Sequence, residues 1–284
     1  MKALTFAAAS LVLAASAHAA VELPRPSPGA TVSQKIGTAK VTVAYHRPAV
    51  KGREVWGGLV PYGEVWRLGA NDATTIELSH PGRLAGHDLA AGTYALFAIP
   101  ARDKWTILVN SEAKQWGAYF RDAKKDLFSF DVAPQPGPHQ EWLEFRLAPE
   151  PSGAVRVEMA WEKLRVSFPV AFDVNGIVWA KLDEAMAAAG PKDYVDFYQA
   201  ARFARETGER KEKAMGWLDE AMKRGSSFWM DELKGDLLAD EGRYAEAMPH
   251  LERSIEASKK AGAPDAWRDG ARKKLEGWRA KAKG

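Results

Sequence analysis

The sequence predicts a two-domain protein, an antiparallel β-sandwich or barrel followed by an α-helical hairpin domain of tetratricopeptide-like character. In the first two thirds, short runs that alternate apolar and polar residues recur about every 8 to 12 residues, which is typical of a sandwich or barrel. In the last third, Ala, Glu, Lys and Arg follow a helical periodicity. These patterns place the β domain at residues 31–172 and the helical-repeat domain at residues 173–284.

The N-terminal residues have the composition of a targeting segment. Lys2 is followed by an apolar run over 3–15 and by the small residues around Ala19, which predicts a secretory signal peptide at residues 1–19. Residues 20–30 are Pro-rich and should form an extended segment. Without cysteine, neither disulfides nor a lipoprotein anchor are expected. No later apolar run reaches the roughly 20 residues of a membrane helix, so the expected location is the periplasm or outside the cell.

The expected strands follow in order from residue 31. The turn at Gly37-Thr38 joins the first two strands, and a short polar link predicts a hairpin between the runs at 93–100 and 104–110. Residues 80–92 have turn chemistry around Pro81-Gly82 and Gly86, and roughly eight to ten strands are expected between residues 31 and 172. The nine alternating runs cover 31–37, 39–46, 74–79, 93–100, 104–110, 126–134, 141–149, 153–161 and 164–172.

Helical patterns begin after residue 173. One helix should end at Gly190-Pro191. Two helical hairpins follow at 192–225 and 227–262, and an amphipathic helix at 264–281 caps them. The hairpins are self-similar, because Ala214 of the first aligns with Ala247 of the second, and they are similar to tetratricopeptide repeats. Such hairpins offer a surface for a protein partner; alternatively, they brace the β domain.

Charge and motif content exclude several function classes. The net charge is +3 and the charges are interspersed, so no nucleic-acid partner is predicted. The chain has six histidines, no cysteine and no H-E-x-x-H motif, so we predict neither a metal site nor a cofactor. No G-x-S-x-G, S-x-x-K, P-loop or dinucleotide-binding motif is present, and catalytic residues stay unassigned.

The stretch at residues 45–72 is the best candidate for a site, because it combines three arginines and four aromatics with turn residues. Guanidinium groups can clamp a carboxylate, phosphate or sulfate, and tryptophans can stack on sugars. An anionic or saccharide ligand is therefore expected. The candidate ligand-binding residues are Arg47, Arg53, Tyr62, Arg67, Asn71, Asn110 and Trp116. If they form one site, the arginines, Asn71 and Trp116 should line one concave surface.

Three alternatives remain open for the same stretch. Arg53 and Arg67 could form structural ion pairs with Glu54, Glu64 or Asp72. The protein could be a hydrolase or lyase acting on cell-wall or polysaccharide material, with Glu64 and Asp72 as acid and base. Finally, the stretch could be a structural plug at one end of the sandwich; in that case Arg67→Ala lowers the melting temperature and abolishes no binding.

Four blocks of the sequence, at 27–78, 91–100, 105–110 and 115–119, resemble an exported bacterial family called domain of unknown function 2911. The resemblance covers about residues 27–161, and members often carry a C-terminal helical-repeat extension. It implies that Arg47-Pro48, Gly52-Arg53, the block 61–71, Asn110, Trp116-Gly117 and Tyr119 are motif positions. The family has no established activity, and the expectation is an exported binding or assembly module.

Overall fold

A computed structural model describes residues 23–283 of the chain. The expected signal peptide at residues 1–19 lies outside these residues. The described residues form ten strands and then six α-helices. The strands are β1 (Gly29–Ile36), β2 (Ala39–His46), β3 (Thr74–Leu78), β4 (Gly82–Leu84), β5 (His87–Leu89), β6 (Gly92–Pro100), β7 (Trp105–Asn110), β8 (Asp126–Val132), β9 (Gln135–Pro149) and β10 (Val155–Ala171). The helices are α1 (Val174–Ala188), α2 (Val195–Thr207), α3 (Ala214–Arg224), α4 (Phe228–Asp240), α5 (Tyr244–Lys260) and α6 (Asp265–Lys281).

The strands form two antiparallel sheets, with orders β1-β2-β3-β6-β7-β8 and β5-β4-β10-β9. Alternate residues of β2 are buried, as the period of two predicts, and Val41 and Val43 are fully buried. They belong to the same apolar core as Phe145 of β9 and Val157 of β10. One core therefore lies between the two sheets, which confirms the predicted β-sandwich.

Two sequence predictions for the smaller sheet are wrong. Residues 80–92 are not turn alone, because they contain the short strands β4 and β5, and β4 pairs with β10 through Leu84 and Val170. Such short strands cannot show a period of two. The runs at 153–161 and 164–172 form the single strand β10, which continues through a bulge around Glu162. Glu162 has a φ of 52°, and this left-handed residue absorbs the shift in register.

The helical predictions are confirmed. Helices α2 and α3 share one apolar cluster, while α4, α5 and α6 contribute to another. Ala214 and Ala247, which occupy equivalent positions of the two hairpins, are both buried. A Cβ at Gly235 would lie 3.1 Å from the carbonyl oxygen of Ala247. Glycine therefore allows α4 and α5 to approach closely, as the repeat pattern predicted.

The sandwich is joined directly to the helices. Strand β10 ends at Ala171 and α1 begins at Val174. Asp173 caps α1, because its Oδ1 accepts a hydrogen bond from the backbone N of Gly176 at 2.9 Å. Gly37, in the turn between β1 and β2, lies against the side chain of Val174. Over residues 23–283, no helix has the length and apolar character required to cross a bilayer.

Candidate functional site

The segment between β2 and β3 first contributes to the sandwich core. Trp56 and Trp66 pack against Trp105 of β7 and Trp161 of β10, with ring centroids between 4.8 and 6.0 Å apart. Trp105 and Trp161 are at most 1% exposed. These four side chains are called the indole cluster below. Trp105 and Trp161 belong to the apolar core, and the partly buried Trp56 and Trp66 pack against it.

Backbone hydrogen bonds then turn the segment out of the core. Trp66 exchanges two backbone hydrogen bonds with Ala98 of β6, at 2.7 and 2.8 Å. Leu68 and Asn71 both adopt left-handed backbone angles, with φ of 54° and 57°. The Oγ1 of Thr74 donates to the carbonyl oxygen of Leu68 at 2.9 Å and closes the turn. The chain therefore leaves the core within a few residues, and the carboxylate of Asp72 comes to lie at the surface.

A cavity of about 700 Å³, called the Trp116 cavity below, opens beside this turn. Its walls come from β1, β2, the start of β3 and the loop after β7. Its lining includes the side chains of His46, Asp72, Lys114, Gln115 and Trp116. Trp116 is 45% exposed, unlike the tryptophans of the indole cluster. The cavity thus combines an accessible indole with a carboxylate, an amide and an ammonium group.

Main-chain pairing fixes the position of Trp116. The backbone N of Ala73 donates to the carbonyl oxygen of Gln115 at 3.1 Å, and the backbone N of Gly117 donates to that of Asn71 at 3.0 Å. Arg67 supports the same contact, since its Nη1 lies 3.3 Å from the carbonyl oxygen of Asn71. A Cβ at residue 117 would lie 2.5 Å from that Nη1, so any residue larger than glycine would displace the guanidinium of Arg67.

A cation already lies beside the cavity, in contact with two of its lining residues. The Nη1 of Arg25 is 3.3 Å from Oδ2 of Asp72, and its guanidinium carbon is 5.3 Å from the centroid of the Trp116 ring. The Nε2 of His46 is 3.9 Å from the same carboxylate oxygen. The site therefore has a positively charged group between an aromatic face and a carboxylate.

The structure does not bring the predicted ligand-binding residues together in one cavity. Trp116 lines the large cavity, whereas Arg67 lines a smaller one of about 330 Å³ with Glu64 and Tyr119. Asn71 lies near the first cavity, but its Nδ2 donates to the carbonyl oxygen of Ser27 at 3.0 Å. These residues therefore do not line one cavity.

The remaining predicted residues make internal contacts. The Nε of Arg47 donates to the carbonyl oxygen of Leu143 at 2.9 Å, and Arg53 donates to the carbonyl oxygens of Ala49 and Val50. Tyr62 lies under the guanidinium of Arg102, 5.3 Å from the ring centroid.

Asn110 is fully buried and donates to the carbonyl oxygen of Asp122 and to Oδ1 of Asp126. Within residues 23–283, Arg53 and Arg67 form no ion pair with Glu54, Glu64 or Asp72, because both donate to backbone carbonyls instead. The alternative that these arginines form structural ion pairs is therefore wrong.

The two carboxylates expected to act as acid and base do not face each other. Glu64 lines the smaller cavity and Asp72 the larger one. Asp72 also has Arg25 as its ion-pair partner. In the part of the chain that the structure describes, no group of three or more His, Asp or Glu side chains is placed to hold a metal ion.

Sequence reasoning missed several groups in or beside the cavity. Arg25 was overlooked because it lies in the Pro-rich segment, and Gln115 and Lys114 because neither belongs to a catalytic or binding motif. The Oε1 of Gln115 is buried and has no hydrogen-bond donor among residues 23–283, while its Nε2 donates to the carbonyl oxygen of Glu112. In the sequence, the position of Gln115 directly before Trp116 is the signal that could have identified it.

Comparisons with known proteins identify a family without an activity. A family model described as "Protein of unknown function (DUF2911)" matches residues 27–170, about half of the chain. The matched span contains the sandwich strands and every residue of the indole cluster. No curated protein and no solved structure matches the chain.

Proposed function

The chain belongs to the DUF2911 family of proteins of unknown function, and we propose that it is an exported, non-catalytic binding protein that takes a saccharide at the Trp116 cavity. In this proposal, residues 31–172 form the ligand-binding domain and residues 173–284 a separate helical domain. The observation that carries the proposal is the half-exposed indole of Trp116 at a cavity with polar side chains.

The chemistry of the cavity suits a sugar. A pyranose ring presents an apolar face that packs on an indole, and its hydroxyl groups need donors and acceptors around that face. The carboxylate of Asp72 supplies acceptors, and Lys114 supplies a donor. The volume of about 700 Å³ lies within the range of about 300 to 1,000 Å³ that is usual for small-molecule sites.

An anionic ligand fits this cavity less well. The three guanidinium groups that suggested an anion clamp, those of Arg47, Arg53 and Arg67, do not line it. The carboxylate of Asp72 does line it and would repel a second negative charge. A glycosidase-type reaction is also less favoured, since Glu64 and Asp72 lie in different cavities.

Isothermal titration calorimetry tests this function with a panel of oligosaccharides and cell-wall glycan fragments. The informative variant is Trp116→Ala. Its matched control is Trp142→Ala, because Trp142 is similarly exposed, at 37%, and does not line the cavity. We expect a panel member that binds the native protein and the control alike, and binds Trp116→Ala at least about tenfold more weakly, about 1.4 kcal/mol.

Either of two results would contradict the saccharide proposal. In one, no glycan of the panel binds the native protein. In the other, a glycan binds with the same affinity when Trp116 is replaced.

A second candidate function is supported by an aromatic groove in the helical region. A cavity of about 390 Å³ lies between α2, α4 and α6. Its lining combines Tyr198, Trp229 and Trp267 with charged residues from α2 and α4, namely Arg202, Arg205, Glu206, Glu232 and Asp236. Trp229 is 43% exposed, and burial raises the pKa of Tyr198. We propose that this groove binds an extended segment of a partner protein, which places an apolar side chain on Trp229.

Ion pairs hold the walls of this groove in place. Asp236 lies 3.1 Å from Arg205 of α2 and 2.9 Å from Lys274 of α6, and Lys274 also lies 2.8 Å from Glu232. Although burial of the ammonium opposes it, hydrogen bonds to Glu232 and Asp236 raise the pKa of Lys274. The three helices are therefore tied together before any partner binds.

Peptide display on the full chain tests the groove. We expect selected peptides to bind the native protein and Trp116→Ala equally and to lose binding to Trp229→Ala. Peptides that ignore the replacement of Trp229 would exclude the groove as their site.

A further inference from the structure

Arg25 occupies a subsite that is built for a positive charge. Its guanidinium lies over the face of Trp116 and 3.3 Å from a carboxylate oxygen of Asp72. An aromatic face attracts cations through its quadrupole, and a carboxylate attracts them directly. A neutral hydroxyl group at the same position would gain only a hydrogen bond, so the subsite favours a cation over a neutral group.

The segment that carries Arg25, residues 23–28 and called the N-terminal arm below, is attached to the sandwich at one end. The carbonyl oxygen of Pro28 accepts from the backbone N of Arg47 at 2.9 Å, and that of Ser27 accepts from Nδ2 of Asn71 at 3.0 Å. Beyond these anchors, Leu23 is 74% exposed. Arg25 can therefore leave Asp72 and Trp116 without breaking the anchors.

The contact of Arg25 is also one that a ligand can replace. The side chains of Arg25 and Asp72 are 40% and 52% exposed, and exposed ion pairs of this kind contribute little to stability. Displacement without a substitute would leave both the Trp116 face and the carboxylate without their cation. A ligand that brings its own ammonium group restores both contacts, whereas a neutral ligand does not.

We propose that Arg25 is a built-in occupant of a cation subsite, and that the saccharide bound at the Trp116 cavity carries an amino group which displaces it. This inference rests on the proposed saccharide-binding function and names its ligand class, an amino sugar. The N-terminal arm then sets the affinity for the amino sugar, because its ammonium group enters the subsite only after Arg25 has left Trp116 and Asp72, whereas a neutral saccharide leaves Arg25 in place.

The test compares a β-1,4-linked glucosamine tetrasaccharide with its N-acetylated counterpart, at a pH at which the free amines are protonated. Calorimetry is run on the native protein, Arg25→Ala, Asp72→Asn and the control Arg83→Ala. Arg83 is the matched residue because it is also an exposed arginine paired with an aspartate, Asp88, at 3.0 Å.

The expected result is a selective gain. Arg25→Ala should bind the glucosamine oligomer at least about threefold more tightly and leave the affinity for the acetylated oligomer unchanged. Asp72→Asn should remove the preference for the charged oligomer, and Arg83→Ala should change neither affinity.

Failure of this inference is distinguishable from failure of the proposed function. If both oligomers, or only neutral glycans, bind through Trp116 and Arg25→Ala shows no selective gain, the cation subsite is overturned while saccharide binding stands. If no saccharide binds any of the proteins, both proposals are overturned together.

Discussion

The segment between β2 and β3 has two parts, called halves below, that lie next to tryptophans in different surroundings. In the first half, Trp56 and Trp66 are absorbed into the indole cluster of the core. In the second half, Asn71 and Asp72 pair with the loop that presents Trp116 to a cavity. The difference shows that a high density of aromatics does not by itself locate a binding site. The location depends on which strand the backbone pairs with.

Backbone pairing explains why the two halves diverge. Trp66 is bonded to Ala98 in the middle of β6, a strand whose neighbours are buried, so its ring enters the core. Asp72 pairs with Trp116 in an isolated bridge outside the sheets, where the ring of Trp116 stays 45% exposed.

The largest expected effect is on the indole cluster. Trp161→Ala removes a ring that is 1% exposed and stacks on Trp66 with centroids 5.8 Å apart. Loss of the burial and the cavity left behind should lower the free energy of unfolding by about 3–5 kcal/mol, measured by urea denaturation. Trp142→Ala serves as the exposed control, with a change expected within about 0.5 kcal/mol. Equal effects of the two replacements would remove the distinction between core and surface indoles.

A medium effect is expected where the loop after β7, called the cavity loop, packs against Arg67 of the segment between β2 and β3. Gly117 has a φ of 64° and lies directly over Arg67, while Gly63 has a φ of 79° and open space, with no atom within 4 Å, where a Cβ would stand. Alanine at either position should lower the free energy of unfolding by about 1–2 kcal/mol through the left-handed backbone. Gly117→Ala should lose more, because Arg67 must also move.

The double variant Arg67→Ala/Gly117→Ala isolates the steric part of that loss. Gly117→Ala is expected to lose more stability than Gly63→Ala, and this extra loss should disappear in the double variant. Thermal denaturation measures the difference. If the two single glycine variants are equally stable, the contact between Arg67 and the cavity loop is not what holds Trp116 in place.

The smallest effect on stability is expected at the cavity itself. Trp116→Ala removes a side chain that is 45% exposed, so the free energy of unfolding should change by about 0.5 kcal/mol or less in urea denaturation. This variant should nevertheless lose saccharide binding. A loss of stability as large as that of a buried residue, about 2 kcal/mol or more, would make Trp116 a structural residue and abolish the contrast between the two halves.

Local patterns predicted most of the fold. Two examples are the alternation in β2 and the equivalence of Ala214 and Ala247 in the two hairpins. Both are patterns that repeat along the chain, so they can be recognised in the sequence without knowledge of distant contacts. Strand β4 could not be predicted, because its partner β10 lies far along the chain, with Leu84 opposite Val170. So short a strand has no pattern of its own.

The candidate site was predicted only in part, for a related reason. The sequence drew attention to residues 45–72 and Trp116, but it assigned the arginines to a ligand. In the folded chain Arg47 donates to Leu143, 96 residues away, and Asp72 receives Arg25 from 47 residues upstream. Which carbonyl or carboxylate a long side chain reaches is decided by tertiary packing, and neither composition nor spacing records it.

The indole cluster also gives the sandwich an optical signature of its own. Rings whose centroids lie as close as 4.8 Å, at fixed angles such as 60° and 81°, couple their electronic transitions. The part of the aromatic circular dichroism that comes from this coupling should vanish when the two sheets separate. The helices add an aromatic signal of their own, because Trp179 and Trp217, and Trp229 and Trp267, also pack together. The difference spectrum between the native protein and Trp161→Ala therefore isolates the contribution of the sandwich.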